Sequence, residues 1–197
     1  VVNVEARQFE LVEELADNVE LPVQVTIASG FPKGDKLEFI TQKVTELGAS
    51  QIWAFPADWS VAKWDGKKLG KKVEKLEKIA LGAAEQSKRN LVPSITLFEK
   101  KADFLDQLEQ FDRIVVAYEE SAKEGEAAAL LQSLTGLEAG SKLLFIFGPE
   151  GGLSPAEIES FTVKGAILAG LGPRILRAET APLYALSAVS VVTELMN

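Results

Sequence analysis

The sequence holds no cysteine and no histidine. Without Cys there is no disulfide, no thiolate nucleophile and no zinc or iron–sulfur cluster held by sulfur. Without His the usual general base and the commonest transition-metal ligand are missing. Carboxylate clusters with metal-ligand spacing are not evident either, so no metal is expected. A Ser-His-Asp hydrolase and a zinc enzyme of the usual kind are excluded. Apolar runs are short: no window approaches the ~18 consecutive apolar residues of a membrane-spanning helix. The chain opens Val1-Val2-Asn3, with no initiator Met and no signal-like stretch, and is expected to be a piece of a longer protein that has lost its beginning. A cytoplasmic address fits these absences.

What is present is the balance of a globular protein with a real core: 197 residues, 47% hydrophobic and 25% charged. Net charge is −8, which argues against a nucleic-acid partner until its placement is considered. Between Ser60 and Asn90 there are nine basic residues, among them Lys63, Lys67, Lys68, Lys71, Lys72, Lys75 and Lys78, against four acids. The rest of the chain carries 12 basic and 25 acidic residues. A basic stretch on an acidic body suits a phosphate-tracking surface. A solvated helix face with pairs such as Glu74–Lys78 explains it equally well.

Val1–Phe9 alternates weakly and reads as the last strand of something upstream, followed by an acidic linker to Glu20. From Pro22 the pattern turns regular. Apolar, β-branched runs at Val23–Ala28, Ile52–Phe55, Ile95–Phe98, Arg113–Tyr118, Leu143–Phe147 and Ala166–Ala169 predict strands. Between them, amphipathic spacing predicts helices: one from an Asp35/Glu38 capping box to a stop at Gly48, then Leu69–Gln86, Ala102–Phe111, Ala127–Leu134, a helix from Pro155, and Ala181–Met196. Continuous apolar strands alternating with helices mean an α/β domain, its mainly parallel sheet covered on both faces. There is no internal repeat.

Two loops stand out. Phe147-Gly148-Pro149-Glu150-Gly151-Gly152-Leu153-Ser154-Pro155-Ala156-Glu157 takes a buried strand through a Gly-rich turn into a helix with Ser154 as N-cap, Pro155 at the first position and Glu157 closing a capping box. Glycines at the carboxyl edge of a parallel strand let backbone approach a ligand, although a tight strand–helix turn needs them as much. It is neither a Walker loop nor GxGxxG. The second loop, Leu171-Gly172-Pro173-Arg174-Ile175-Leu176-Arg177-Ala178-Glu179-Thr180-Ala181-Pro182, leaves a buried strand at the same edge. Thr180 as an N-cap with Pro182 behind it accounts for the helix start, but not for Arg177. A third segment, Glu85-Gln86-Ser87-Lys88-Arg89, closes the basic helix, where Lys88 and Arg89 complement the helix dipole.

These motifs, with Lys33-Gly34-Asp35-Lys36-Leu37-Glu38 and Glu46-Leu47-Gly48, fall in the order and approximate spacing of one family. Over about residues 22 to 197 the chain resembles the RsmE-type small-subunit ribosomal RNA uridine-N3 methyltransferases of the SPOUT superfamily. GPEGGLS followed by LGPRxLRxETA is highly specific as a pair. The resemblance implies a C-terminal trefoil knot forming an S-adenosyl-L-methionine pocket, and a homodimer whose partner contributes to each active site. It also implies an N-terminal PUA-like β-barrel, of which only residues 1 to 20 are a remnant here, with the SPOUT domain over 21 to 197. The implied substrate is 16S ribosomal RNA or the assembled small subunit.

By resemblance, Gly148, Pro149, Glu150, Gly151, Gly152, Leu171, Gly172, Ile175, Leu176 and Thr180 hold the cofactor, with Phe147 and Leu176 against adenine. Arg177 orients the uracil or its phosphate and favours the N3 anion. Glu179 is a proton acceptor or an ion-pair partner of Arg177, and Lys33, Lys36 and Arg89 meet RNA. The absences agree with this chemistry. Methylating C5 of a pyrimidine normally needs a Cys nucleophile, whereas N3 methylation needs in-line attack on a sulfonium methyl and loss of the N3 proton. Positioning supplies up to ~7–11 kcal/mol of such a barrier in ideal cases, and unstacking the base costs roughly a few kcal/mol. Two other readings stay open: a SPOUT enzyme for another RNA such as a transfer RNA, and a non-catalytic nucleotide-binding module.

Overall fold

The computed structural model describes residues 18–118 and 129–196. The expected upstream strand, most of the linker and the start of the 127–134 helix lie outside them. Six strands, β1 (Gln24–Gly30), β2 (Gln51–Phe55), β3 (Ser94–Leu97), β4 (Arg113–Ala117), β5 (Lys142–Phe147) and β6 (Ile167–Ala169), form one sheet in the order β3-β2-β1-β5-β4-β6. Every neighbouring pair is parallel. Helices α1 (Lys36–Glu46), α2 (Gly66–Gln86), α3 (Lys101–Asp106), α4 (Ala129–Leu134), α5 (Pro155–Val163) and α6 (Ala181–Ser190) connect the strands. The α/β reading of the sequence holds, with strand ends shifted by a residue or so. Among the described residues no helix is long and apolar enough to cross a membrane.

Period-two alternation divides the core between the two faces of the sheet. Val25, Ile27, Val115, Leu143, Phe145 and Phe147 point to one side, where they meet Ile40 and Val44 of α1 and Ala185, Leu186 and Val189 of α6. Ala28, Trp53, Phe55, Val116, Leu144 and Ile146 point to the other, against Phe104 of α3 and Phe161 of α5. There Phe55 and Phe104 stack with centroids 4.2 Å apart, and Phe161 lies edge-on to both. Each fully buried Phe contributes about 1.5–3 kcal/mol relative to exposure. This aromatic block fixes the end of β2 and so aims the loop that follows it.

Local signals succeeded where their partners were also local. The Ser154–Glu157 capping box is complete in both directions, and Gly48 stops α1 at φ +101°. The expected Asp35–Glu38 box does not form: Asp35 makes no side-chain cap. Glu38 reaches instead to Lys75 on α2, at 2.6 Å. Thr180 makes no cap either; the chain enters α6 through a turn in which the Thr180 and Ala181 amides both donate to the Arg177 carbonyl, at 2.9 and 3.0 Å. The expected 102–111 helix is α3 followed by a 3-10 turn at Leu108–Gln110, and the last helix gives way to a π turn at Val191–Leu195.

Arg89 is the largest correction. After α2 the chain turns through Lys88 at φ +58°, and the Arg89 amide donates back to the Ala84 carbonyl at 2.9 Å, a Schellman turn with lysine where glycine is usual. That turn carries Arg89 inward, not toward solvent. Its side chain is 3% exposed and ion-paired with Glu20, and it donates to the Thr45 and Ala49 carbonyls at 2.9 and 2.8 Å. Glu20 also accepts from the Asn90 and Leu91 amides at 2.9 and 3.0 Å. Four of the five guanidinium N–H donors are therefore spent inside the fold, and the covered side chain is not offered to a phosphate.

Candidate functional site

β1 feeds α1 and then β2, whereas β5 feeds α5 and then β6 on the far side of β4. The chain therefore diverges between adjacent strands, and a crevice opens beyond their carboxyl ends. The two departing loops touch at its base: a Cβ on Gly30 would lie 2.6 Å from Pro149 Cδ. Above them is a cleft of about 730 Å³ lined by Phe147 to Leu153, by Ile175 to Ala178, and by Ala117, Tyr118, Lys36, Trp59, Pro155 and Ala181. A smaller hollow beside it adds Leu171, Gly172 and Arg174. Both loops singled out in the sequence thus meet at one rim.

The glycines of the 148–152 loop answer to specific contacts. A Cβ on Gly148 would sit 2.7 Å from the Gly152 carbonyl carbon, so the loop closes on itself only with hydrogen there. Gly152 has φ +79°, and the Gly151 position lies 3.1 Å from Trp59 Cβ. The loop is backed by a polar brace. The Glu157 carboxylate is 1% exposed and accepts from the Ser154 and Asp58 amides, each at 2.9 Å. Asp58 accepts from the Ser154 hydroxyl at 2.6 Å and pairs with Lys101 at the start of α3. Lys101 and Ser154 together hold the Asp58 carboxyl below its ordinary value. The brace seats Trp59, half exposed, at the cleft mouth.

Lys36 spans the two loops. Its Nζ lies 3.0 Å from Glu150 Oε1 and 3.0 Å from Glu179 Oε2, with all three side chains largely covered. These carboxylates raise the Lys36 pKa. Burial by itself would raise the Glu150 and Glu179 carboxyls, but backbone amides and Lys36 outweigh it and both are lowered. Folded-state values below the unfolded ones mean this stabilisation is present above the ordinary glutamate value of 4.5 and is lost as pH falls through the folded values. Lys36→Met is expected to cost about 1 kcal/mol at neutral pH. The gap between its thermal midpoint and that of the unaltered chain should close on acidification below that range. A gap independent of pH would remove the ion pairs as its cause.

Of the expected cofactor residues, Phe147 to Gly152, Ile175 and Leu176 line the cleft, Leu171 and Gly172 line its side hollow, and Thr180 lines neither. Arg177 lines the cleft with its side chain 81% exposed, its Nη1 4.0 Å from Glu179 Oε1. Lys33 is exposed and engages Glu150 through its backbone amide at 3.1 Å. Lys36, expected to meet RNA, is committed to the two glutamates. Trp59, Asp58 and Tyr118 were missed. Tyr118 carried a usable signal, since it ends a strand at the same edge as the two loops.

An all-parallel sheet with a glycine-lined crevice and a charged rim at its switch point is the arrangement of α/β proteins that bind nucleotide-type ligands. Residues 19–190 match the RNA methyltransferase domain family, and the chain belongs to that family. It is 54% identical over 187 residues to ribosomal RNA small subunit methyltransferase E of Bacillus subtilis, covering 95% of this chain and 73% of that protein. It is 32% identical over 177 residues to the protein of the same name from Mycobacterium bovis, covering 86% of this chain and 63% of that one. Among solved structures, ribosomal RNA small subunit methyltransferase E from Neisseria gonorrhoeae, bound to S-adenosyl methionine, is similar with a TM-score of 0.74 at 27% identity. That likeness covers 92% of this chain and 72% of the other.

Proposed function

We propose that this chain is the catalytic portion of an S-adenosyl-L-methionine-dependent methyltransferase that modifies N3 of a uridine in 16S ribosomal RNA. The observation that carries the reading is the meeting of the 147–153 and 175–178 segments at one cleft, together with the 54% identity to the Bacillus subtilis enzyme. The residues present suit the cofactor: a self-closing glycine loop offers backbone groups, and Ile175 and Leu176 offer apolar surface to a purine, whereas the Phe147 side chain, expected against adenine, is 1% exposed within the core. Bound there, the cofactor supplies an electrophilic methyl group.

This chain's residues position and polarise. Arg177, exposed at the mouth, orients the uracil and stabilises the negative charge that develops on N3 as its proton passes to solvent water at the open mouth. Lys36 lowers the proton affinity of Glu179, which favours the ion-pair role for that carboxylate over the role of base. Its task is to hold Arg177 and Lys36 in register across the cleft.

Residues 21 to 197 form the methyltransferase unit. From the edge strand β6 the chain returns across the sheet to pack α6 on α1 and β5, a path that supports a knotted carboxyl end. Exposed Tyr184, Val191, Leu195 and Met196 on that end suit a homodimer contact.

The test is methyl transfer from labelled cofactor to unmodified small subunits, with the modified nucleotide mapped. Arg177→Ala is expected to lower kcat about 10²–10³-fold with cofactor affinity retained. Full activity in that variant removes the role, and label on transfer RNA in place of 16S RNA moves the substrate.

A further inference from the structure

We infer that the outer face of α2 is the track along which the RNA backbone leaves the cleft; this rests on the reading of the substrate as RNA. Lys67, Lys71 and Lys78 recur at helical spacing on the side of α2 opposite Leu69, Leu76 and Ala80, which pack inward. All three are exposed, and none has an ion-pair partner among the described residues. Elsewhere Lys36, Lys43, Lys101 and Lys164 each hold a carboxylate, while exposed Lys100 and Lys142 have no ion pair among the described residues; what distinguishes α2 is three such lysines on one helix face. On α2 itself Lys75 pairs with Glu38, and Lys72 lies 4.3 Å over the Trp64 ring. Glu74 lies on the same face between Lys71 and Lys78, and Glu85 lies on it two turns beyond Lys78, so three lysines stand against two acids and the face is net positive by one.

Position and openness agree with charge. The loop from β2 to α2 contributes Trp59 to the cleft mouth and leads directly into the helix that carries the row. No heavy atom lies within 4 Å of a Cβ built on Gly70 or Gly82, so these outward positions of α2 are open. Lys67 and Lys71 lie about 6 Å apart along the helix axis and Lys71 and Lys78 about 10 Å, spacings that suit contacts to separate phosphates of one backbone, each releasing counterions. An exposed tryptophan at the cleft mouth, in the loop that leads to such a row, is a stacking platform of the kind that accompanies cationic grooves.

The experiment measures binding of transcribed 16S ribosomal RNA to the chain by fluorescence anisotropy across a salt series, alongside methyl transfer. Lys67→Ala/Lys71→Ala/Lys78→Ala is expected to weaken binding about tenfold to a hundredfold and to flatten the salt slope by about 2. It should raise KM for RNA with kcat and cofactor affinity unchanged. Lys100→Ala/Lys142→Ala/Lys164→Ala, which removes the same charge elsewhere, should do neither. Equal slopes for the two triple variants overturn the inference, whether or not the unaltered chain transfers methyl groups. Loss of binding to phosphatidylserine vesicles with RNA binding intact would overturn it in favour of a membrane surface. Absence of methyl transfer with the slope change present would spare the track and sink the assigned reaction.

Discussion

Gly148→Ala is expected to lower affinity for S-adenosyl-L-methionine about a hundredfold while leaving the fold intact. The added methyl group would sit 2.7 Å from the Gly152 carbonyl carbon and 2.9 Å from its Cα. Both are backbone atoms in a loop that its own hydrogen bond, Gly152 amide to Pro149 carbonyl at 2.8 Å, already holds closed. No side chain can swing away, so the loop itself must open. Overpacking of this kind costs about 1–3 kcal/mol, and the upper end corresponds to roughly two decades in a dissociation constant. The effect falls on binding because the loop is the cleft wall, while β5 and α5 are anchored independently by the core and the Ser154–Glu157 cap. Calorimetric titration with the cofactor, beside a thermal melt, checks both halves. An unchanged dissociation constant would mean that the cofactor does not lie against this loop.

Arg89→Ala is expected to destabilise the chain by about 3–5 kcal/mol, the cost of leaving a buried charge without its partner. Glu20 would be stranded, and the Thr45 and Ala49 carbonyls would lose the donors that reach them at 2.9 and 2.8 Å. The cofactor should still bind at temperatures where the variant is folded, since Arg89 is remote from the cleft lining. Denaturant unfolding at pH 7 reads the loss. Glu20→Gln keeps the shape but removes the charge, and should cost less than Arg89→Ala. Wild-type stability in Arg89→Ala, with RNA affinity reduced, would restore the phosphate-binding role expected from sequence.

Gly148 and Arg89 mark the boundary between what the sequence could reveal and what it could not. Strand positions were readable because both faces of a parallel sheet are buried, so each strand is an apolar run such as Leu143–Phe147. The Ser154–Glu157 cap was readable because its partners are three residues apart. The same spacing misled at Asp35–Glu38, where Lys75 on another helix captures the carboxylate. Arg89 was misjudged for a similar reason: its partner Glu20 is 69 residues away. Trp59 had no local signature at all. Its place at the mouth depends on Asp58 bonding to Ser154 and Glu157, more than ninety residues further along the chain. Of the site, then, the backbone loops were legible, while the side chains that aim them were fixed by distant contacts.

The brace of Asp58, Lys101, Ser154 and Glu157 has a consequence for how the protein tolerates change. It makes α3, a short helix with no surface in the cleft, a silent stakeholder in catalysis. Evolutionary drift or engineering at Lys101 would be felt as altered turnover, with nothing in the substrate's footprint to explain it.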